Sequence, residues 1–346
     1  MTKLNEMRMY TWQSQGLNYV EYEDSKIEKV PYSKESDTNE IKAVEDAFKD
    51  KTYGLSEDIK KENREFRNDS LYRDIKEDKD TETIELNVNG ENNILVSGLD
   101  INAAEGTNSS FLLNLSGEGD NLYLNNQVRI NIEDKARVKL VIVTNLPAKS
   151  TNLLSVTTIL GEESHLNISY IELGATYSVV DIRNILEGDN ATVVEDGVYF
   201  KEGEEFLDIL ATNEHYGNGT DSDALFNGAV KDYAHKNWKG VVDLKRGCFE
   251  ADGKIGDYSM MFSDNVKNKT APILLCAEKE VAGNHAASVG RLNKEMLFYI
   301  MSRGFDKKQA ESMMLEATFS KAIDKVEDED LRKTLKEQVR HMNTRD

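Results

Sequence analysis

The segment Ile132-Glu133-Asp134-Lys135-Ala136-Arg137-Val138 recurs as Leu160-Gly161-Glu162-Glu163-Ser164-His165-Leu166. It returns, one residue longer, as Leu186-Glu187-Gly188-Asp189-Asn190-Ala191-Thr192-Val193. Each copy runs from an aliphatic residue through an acidic or glycine-containing turn to a small residue, then into an aliphatic strand. The small residues Ala136, Ser164 and Ala191 stand 28 and 27 positions apart. A period of that size reads as stacked coils. One coil cannot bury its apolar face alone, whereas a stack can, with small residues at the tight corners.

The texture around the copies agrees. From about Thr83, short runs alternate β-branched and polar residues: Ile84 to Val88, Ile94 to Val96, Phe111 to Leu115, Val128 to Ile132, Val138 to Val143 and Leu153 to Leu160. They continue as Leu166 to Leu173, Ser178 to Leu186, Val193 to Phe200, Phe206 to Thr212 and Val241 to Leu244. Gly, Asn and Asp punctuate them, and the pattern is that of an all-β domain of many short strands. Periodicity alone leaves a β-helix and a large sandwich equally open.

Residues 1 to 80 are polar and lean towards helix. Asn39 to Asp50 places Ile41, Val44, Ala47 and Phe48 on one face, and Ser56 caps a second helix running to Phe66 with Ile59 on its apolar side. The charged run from Asp74 to Glu82 reads as an exposed linker.

Composition narrows the function classes. The protein has 346 residues, 39% of them hydrophobic, and a formal net charge of −20. So acidic a surface repels phosphate backbones and anionic bilayers, so neither nucleic acid nor membrane is expected as a partner. No apolar run is long enough to span a bilayer and the polar start MTKLNEMRMY is not a signal peptide, so a cytoplasmic protein is expected. Two cysteines, Cys248 and Cys276, cannot supply four ligands to a cluster, and both read as buried apolar residues.

The stretch from Ala282 to Phe319, AGNHAASVGRLNKEMLFYIMSRGFDKKQAESMMLEATF, begins extended and ends in two helices. Asn293 caps the first, which carries Met296, Leu297, Tyr299 and Ile300 at helical spacing and ends at Gly304. Asp306 with Gln309 makes a capping box for the second, which carries Ala310, Met313, Met314, Ala317 and Phe319.

This stretch resembles the C-terminal signature of the SufB/SufD family of iron–sulfur cluster assembly proteins. The matching residues are His285 with the small residues after it, Val289-Gly290, Leu292, Glu295, Phe298-Tyr299, Ser302-Arg303-Gly304 and Ala310. Upstream, Asn213-Glu214-His215, Ser222-Asp223, Gly228-Ala229 and Trp238-Lys239-Gly240-Val241 look like the family's central strands, so Ile159 to Phe319 is family-like. The resemblance tips the architecture to a right-handed parallel β-helix flanked by helical ends. The implied division is a helical region and linker over 1–80, a β-helix core over 81–290 and a C-terminal helical domain over 291–346.

The resemblance also implies a role: a scaffold subunit without turnover of its own, handling a transient iron–sulfur cluster. It would dimerise through the end of the β-helix, with itself or with a SufB-like subunit, and dock a SufC-like ABC ATPase through the C-terminal helices. Phe298, Tyr299, Arg303, Gly304, Met313, Met314 and Phe319 are the expected docking residues. His285 is the first candidate ligand for iron or a sulfur species, since a neutral imidazole can serve and its small neighbours leave room. Glu214 and His215 are further candidates, but adjacent strand positions face opposite ways, so only one can enter a shared site. His165 and His235 read as surface residues.

Two departures set this protein apart. Where B-type members carry a cysteine and a glutamate, Val266 and Ala286 stand here, which makes it D-like or a member of a minimal single-scaffold branch. The second reading is therefore a structural brace of the ATPase complex that ligates no cluster. A β-helix enzyme acting on polysaccharides is a third class, disfavoured by the C-terminal signature. The loop Gly247 to Ile255 only superficially resembles a phosphate loop: it has one residue too many between its glycines and lacks the magnesium-binding Ser/Thr, so no nucleotide of its own is expected.

Overall fold

A computed structural model describes residues 1–10, 13–23, 27 and 41–342. The repeated segment sets the geometry. In each copy the residue before the small one adopts left-handed backbone: Lys135 at φ 61°, Glu163 at 54°, Asn190 at 57°. The same corner recurs outside the three copies at Gly106, Gly219 and Glu250. Each turn bonds to the next. The Lys135 N–H donates to the Glu162 carbonyl at 2.7 Å, that of Glu163 to Asp189 at 2.8 Å, and that of Asn190 to Asn218 at 2.8 Å. Ala136, Ser164 and Ala191 are fully buried one position on, where a larger side chain would meet the corner of the next coil.

The strands between corners alternate between two sheets. One holds β3 (Asp69–Ile75), β5 (Ile94–Ala103), β7 (Leu122–Ile132), β9 (Ser150–Leu160), β11 (Tyr177–Leu186), β13 (Phe206–His215), β15 (His235–Leu244) and β17 (Lys267–Cys276). The other holds β4 (Lys79–Val88), β6 (Asn108–Gly117), β8 (Arg137–Leu146), β10 (His165–Gly174), β12 (Thr192–Lys201), β14 (Asp221–Val230), β16 (Asp252–Met261) and β18 (Ala282–Arg291). Neighbouring strands are parallel and in register, as in Leu166 beside Val138 and Val193. The fold is therefore mainly β, a parallel solenoid of about eight turns.

Residues of alternate parity point inward and close a continuous apolar core through Leu99, Ile130, Leu154, Ile182 and Ile209. Towards the later coils the interior gains aromatic residues and charge. Trp238 and Phe226 pack with ring centroids 5.6 Å apart, both fully buried. Gly197 and Gly228 make room for this layer, since a Cβ on either would stand 2.1 Å from the ring of Phe226 or Tyr199. Lys236 and Asp257 form an ion pair inside it, both side chains inaccessible to solvent, and Thr270 donates to the same carboxylate at 2.6 Å.

Each sheet's outer face has its own cover. On the odd-numbered sheet lie β1 (Thr2–Leu4), β2 (Val20–Tyr22), α1 (Lys42–Phe48) and α2 (Glu57–Phe66). Leu4, Val20 and Ile59 pack on Val96, Leu153 and Val179, while Val44 and Phe48 pack on Ile159 and Ile185. The expected Ser56 cap is present, with its hydroxyl accepting from the Ile59 N–H. Of the helix expected over Asn39 to Asp50, Asn39 and Glu40 lie outside the described residues. The even-numbered sheet is covered by α4 (Lys307–Ile323) and α5 (Glu329–His341), whose Leu315, Phe319 and Leu335 join Leu173, Val198 and Phe200. α3 (Lys294–Ser302) precedes them.

The charged run from Asp74 to Glu82 is not a linker. It spans the end of β3 and the start of β4, so the solenoid begins at Asp69. β4 carries its charges where the outer face is open, and only Ile84, Leu86 and Val88 turn into the core.

Candidate functional site

The solenoid ends without a cap of its own. β18 is the last strand of its sheet and β17 the last of the other, so each has one partner and one unpaired edge. β18 reads AGNHAASVGR and none of its residues is buried, whereas β10, four strands earlier in the same sheet, buries seven of ten. Small side chains expose little apolar area, so a terminal strand built from them stays soluble while its backbone remains open to a second chain. His285 is on this strand, beside Ile255 of β16. Ile255 is packed in the core, so His285 occupies the inward-facing row, uncovered because no further coil lies over it.

The residues expected to stand where B-type members carry a cysteine and a glutamate are here too. Val266 stands just before β17 and Ala286 follows His285 on β18, both half-buried. The cysteines separate. Cys248 is buried in the solenoid core, as expected. Cys276 is exposed at the end of β17, with its thiol donating to the Glu278 carbonyl at 3.0 Å, which corrects the expectation of burial. Its strand is the uncovered last one of its sheet, so its position leaves it open.

Glu214 and His215 do face opposite ways, and neither joins His285. His215 points into the solenoid, fully buried, with its Nδ1 2.8 Å from the Thr220 hydroxyl and its Nε2 2.8 Å from that of Ser222. Burial pushes its pKa down to about 4, so the ring is neutral at physiological pH, and both nitrogens are already engaged. Glu214 lies on the outer face beneath the N-terminal segment, where it accepts from Arg8 at 2.6 Å and from Arg183 at 3.2 Å. Both side chains hold the fold. His165 and His235 are half-buried rather than surface residues. The former contacts the Thr192 hydroxyl at 2.5 Å, and the latter packs edge-on to Phe206 at 5.1 Å.

Beyond β18 the caps are those expected. Asn293 accepts from the Glu295 and Met296 N–H groups, Gly304 at φ 100° closes α3, and Asp306 with Gln309 forms the capping box of α4. α3 buries none of its residues. Phe298 is 74% exposed, and Met296, Tyr299, Met301, Phe305 and Met313 are exposed with it. The Arg303 guanidinium stacks over the Tyr299 ring at 4.9 Å and donates to its hydroxyl at 2.8 Å. Met314 is half-buried. Phe319 is fully buried against the solenoid wall and cannot be a docking residue, because its side of α4 packs on the even-numbered sheet.

Two groups of residues escape sequence reasoning. The interior pair Lys236 and Asp257 has a faint signal, since both alternate with inward-facing residues, Trp238 in one strand and Ile255 in the other. The ion pairs of Arg8 with Glu214 and Asp243 join positions more than two hundred residues apart and have none.

The geometry agrees with comparisons to known proteins. Residues 86–318 match the family described as SUF system FeS cluster assembly, SufBD core domain, so the match starts well before Ile159. The iron–sulfur cluster assembly protein SufD of Bacillus subtilis is 30% identical over 148 residues, covering 43% of this chain and 33% of that protein. A SufBD family protein of Mycobacterium leprae is 24% identical over 231 residues, 64% of this chain and 59% of its own length. The SufD protein of Escherichia coli is 24% identical over 147 residues, 42% of this chain and 35% of its own. The matched region thus spans one third to three fifths of these relatives. With most of its length matched to the core domain, the chain belongs to the SufBD family of SUF-system proteins.

Proposed function

We propose that this protein is a scaffold subunit of a SUF-type iron–sulfur cluster assembly complex. The observation that carries the reading is the pairing of two uncovered surfaces at one end of the molecule: the open edges of β17 and β18, and the exposed apolar side chains of α3. The edges would pair with a second copy or with a SufB-like subunit, backbone to backbone. α3, with Phe298, Tyr299, Arg303 and Met313, would dock a SufC-like ABC ATPase. Movement of the ATPase would then open or close the interface at His285. Catalytic turnover belongs to the ATPase, and the iron–sulfur cluster is cargo.

His285 is the proposed contact with that cargo. No group of three or more His, Cys, Asp or Glu side chains is placed to hold a metal ion among the described residues, so a full ligand shell at His285 needs donors from across the edge. Val266 and Ala286, where B-type members offer a thiol and a carboxylate, support the second reading, a brace for the ATPase that ligates no cluster.

Anaerobic reconstitution with a SufC-like ATPase separates the two. In the first reading His285→Ala abolishes cluster absorption while the complex still forms. Unchanged cluster yield favours the brace, and failure of the wild-type protein to bind or stimulate any SufC-like ATPase contradicts both.

A further inference from the structure

The sequence holds three Asn-Gly pairs: Asn89-Gly90, Asn218-Gly219 and Asn227-Gly228. Glycine carries no Cβ to crowd its own nitrogen, so in this dipeptide the backbone nitrogen can approach the side-chain carbonyl carbon of the asparagine before it. The fold treats the three pairs differently.

Asn89 and Gly90 are both exposed in the corner between β4 and β5, and a Cβ on Gly90 would meet nothing within 4 Å. The Asn89 Oδ1 accepts from two backbone N–H groups, that of Glu91 at 3.0 Å and that of Asn92 at 2.9 Å. Two donors at that range are placed to stabilise negative charge growing on a carbonyl oxygen. At the second pair the nitrogen that would attack is tied, because the Gly219 N–H donates to the Phe249 carbonyl at 2.8 Å. The group that would have to leave is held as well, since the Asn218 Nδ2 donates to the Asp189 carboxylate at 3.2 Å. Asn227 lies within β14, in the ladder between β12 and β16, and Gly228 is buried.

We propose that Asn89 is a self-modifying site that converts through a cyclic imide to aspartate and isoaspartate. Hydroxide takes the Gly90 N–H proton, and the nitrogen forms a bond to the Asn89 Cγ. The electron pair of the carbonyl moves onto Oδ1, where the Glu91 and Asn92 N–H groups hold it. The pair returns as the Cγ–Nδ2 bond breaks, and Nδ2 takes a proton from water and leaves as ammonia. Water then opens the imide at either carbonyl, so the net change is one water consumed and one ammonia released. The product carries one more negative charge, and its isoaspartate form lengthens the corner by one backbone atom. Asn89 follows β4, at the opposite end of its sheet from β18, so the site is separate from the His285 edge.

Peptide mapping by mass spectrometry of the full-length protein, aged in mildly alkaline buffer, tests this. Asn89 is expected to convert at least about tenfold faster than Asn218 and Asn227. In the same buffer with urea, where the two donors are lost, Asn89 is expected to slow and the other two to speed up. Glu91→Pro deletes one donor N–H and is expected to slow Asn89 by at least about tenfold. Equal rates at the three sites of the folded protein overturn the proposal. So does faster conversion of Asn89 in urea than in the folded chain, and that comparison decides the matter even if the variant fails to fold.

Discussion

The middle of the solenoid and its last turn share one backbone plan and differ in what covers it. β10 and β18 are both ten-residue parallel strands of the same sheet, each in unbroken register with the strand before it. β10 is buried between the next coil, the core and α4, whereas β18 is bare. The helices repeat the contrast: α4 sinks Leu315 and Phe319 into the solenoid wall while α3, with stronger apolar character, buries nothing. Hydrogen-bonded geometry therefore does not distinguish a structural element from an interaction surface in this fold. Side-chain size and the presence of a neighbour do.

Substitutions in matched pairs probe that difference. Trp238→Ala, in the core, is expected to cost about 3–5 kcal/mol through the lost contacts and the cavity left behind, whereas Val289→Ala on β18 should stay within about 0.5 kcal/mol. Denaturant unfolding of the isolated protein measures both, and equal effects would erase the comparison.

Charge pairs give a second contrast of nearly the same size. Asp257→Ala strands Lys236 in a dry interior and is expected to destabilise by about 3–5 kcal/mol. At the open end, Arg291 and Asp264 lie 2.7 Å apart but both are more than half exposed, so Asp264→Ala should cost about 0–1 kcal/mol. Thermal melts at low and high salt would separate them, because screening weakens only the exposed pair.

The buried acids and bases add a pH signature. Glu195 is fully inside the solenoid, and burial pushes its carboxyl up to about 8. The folded protein therefore holds a proton that the unfolded state releases near the ordinary carboxylate range. This contribution is fully present below about pH 4.5 and is lost as pH rises through about 8. His215 acts with the opposite sign: with its pKa lowered to about 4, its contribution is present above about pH 6.5 and is lost as pH falls towards 4. Glu195→Gln should remove the decline between pH 4.5 and 8, and an unchanged pH–stability curve would contradict the assignment.

The smallest effect belongs to the caps. Asp306→Ala deletes the side-chain acceptor at the start of α4 and should cost about 1 kcal/mol, read as a modest drop in unfolding midpoint.

Much of this fold is legible in the sequence, and the reasons are local. The corners at Ala136, Ser164 and Ala191 demand a small residue after a left-handed one, so they leave a countable period. The caps at Asn293 and Asp306 and the stop at Gly304 act within four residues of themselves. The last strands are harder. β14 and β16 place Ser222, Asp257 and Ser259 towards the interior, where an apolar alternation is expected, and β18 is built of small residues because it faces no core. Charges on β4 hide a strand for the complementary reason, since its outer face is open to solvent. The resemblance misplaces Phe319 among the docking residues, because it marks a region of the chain but not which side of α4 meets the solenoid.

Hydrogen exchange read strand by strand, with the protein free and then mixed with a SufC-like ATPase, tests the central claim most directly. The account predicts fast exchange in α3 and along the free edges of β17 and β18 in the isolated monomer, slow exchange in β8 to β13, and new protection confined to α3 and its neighbours when the ATPase is added. Protection that instead fell on α4, α5 or the N-terminal cover, with α3 unchanged, would contradict it.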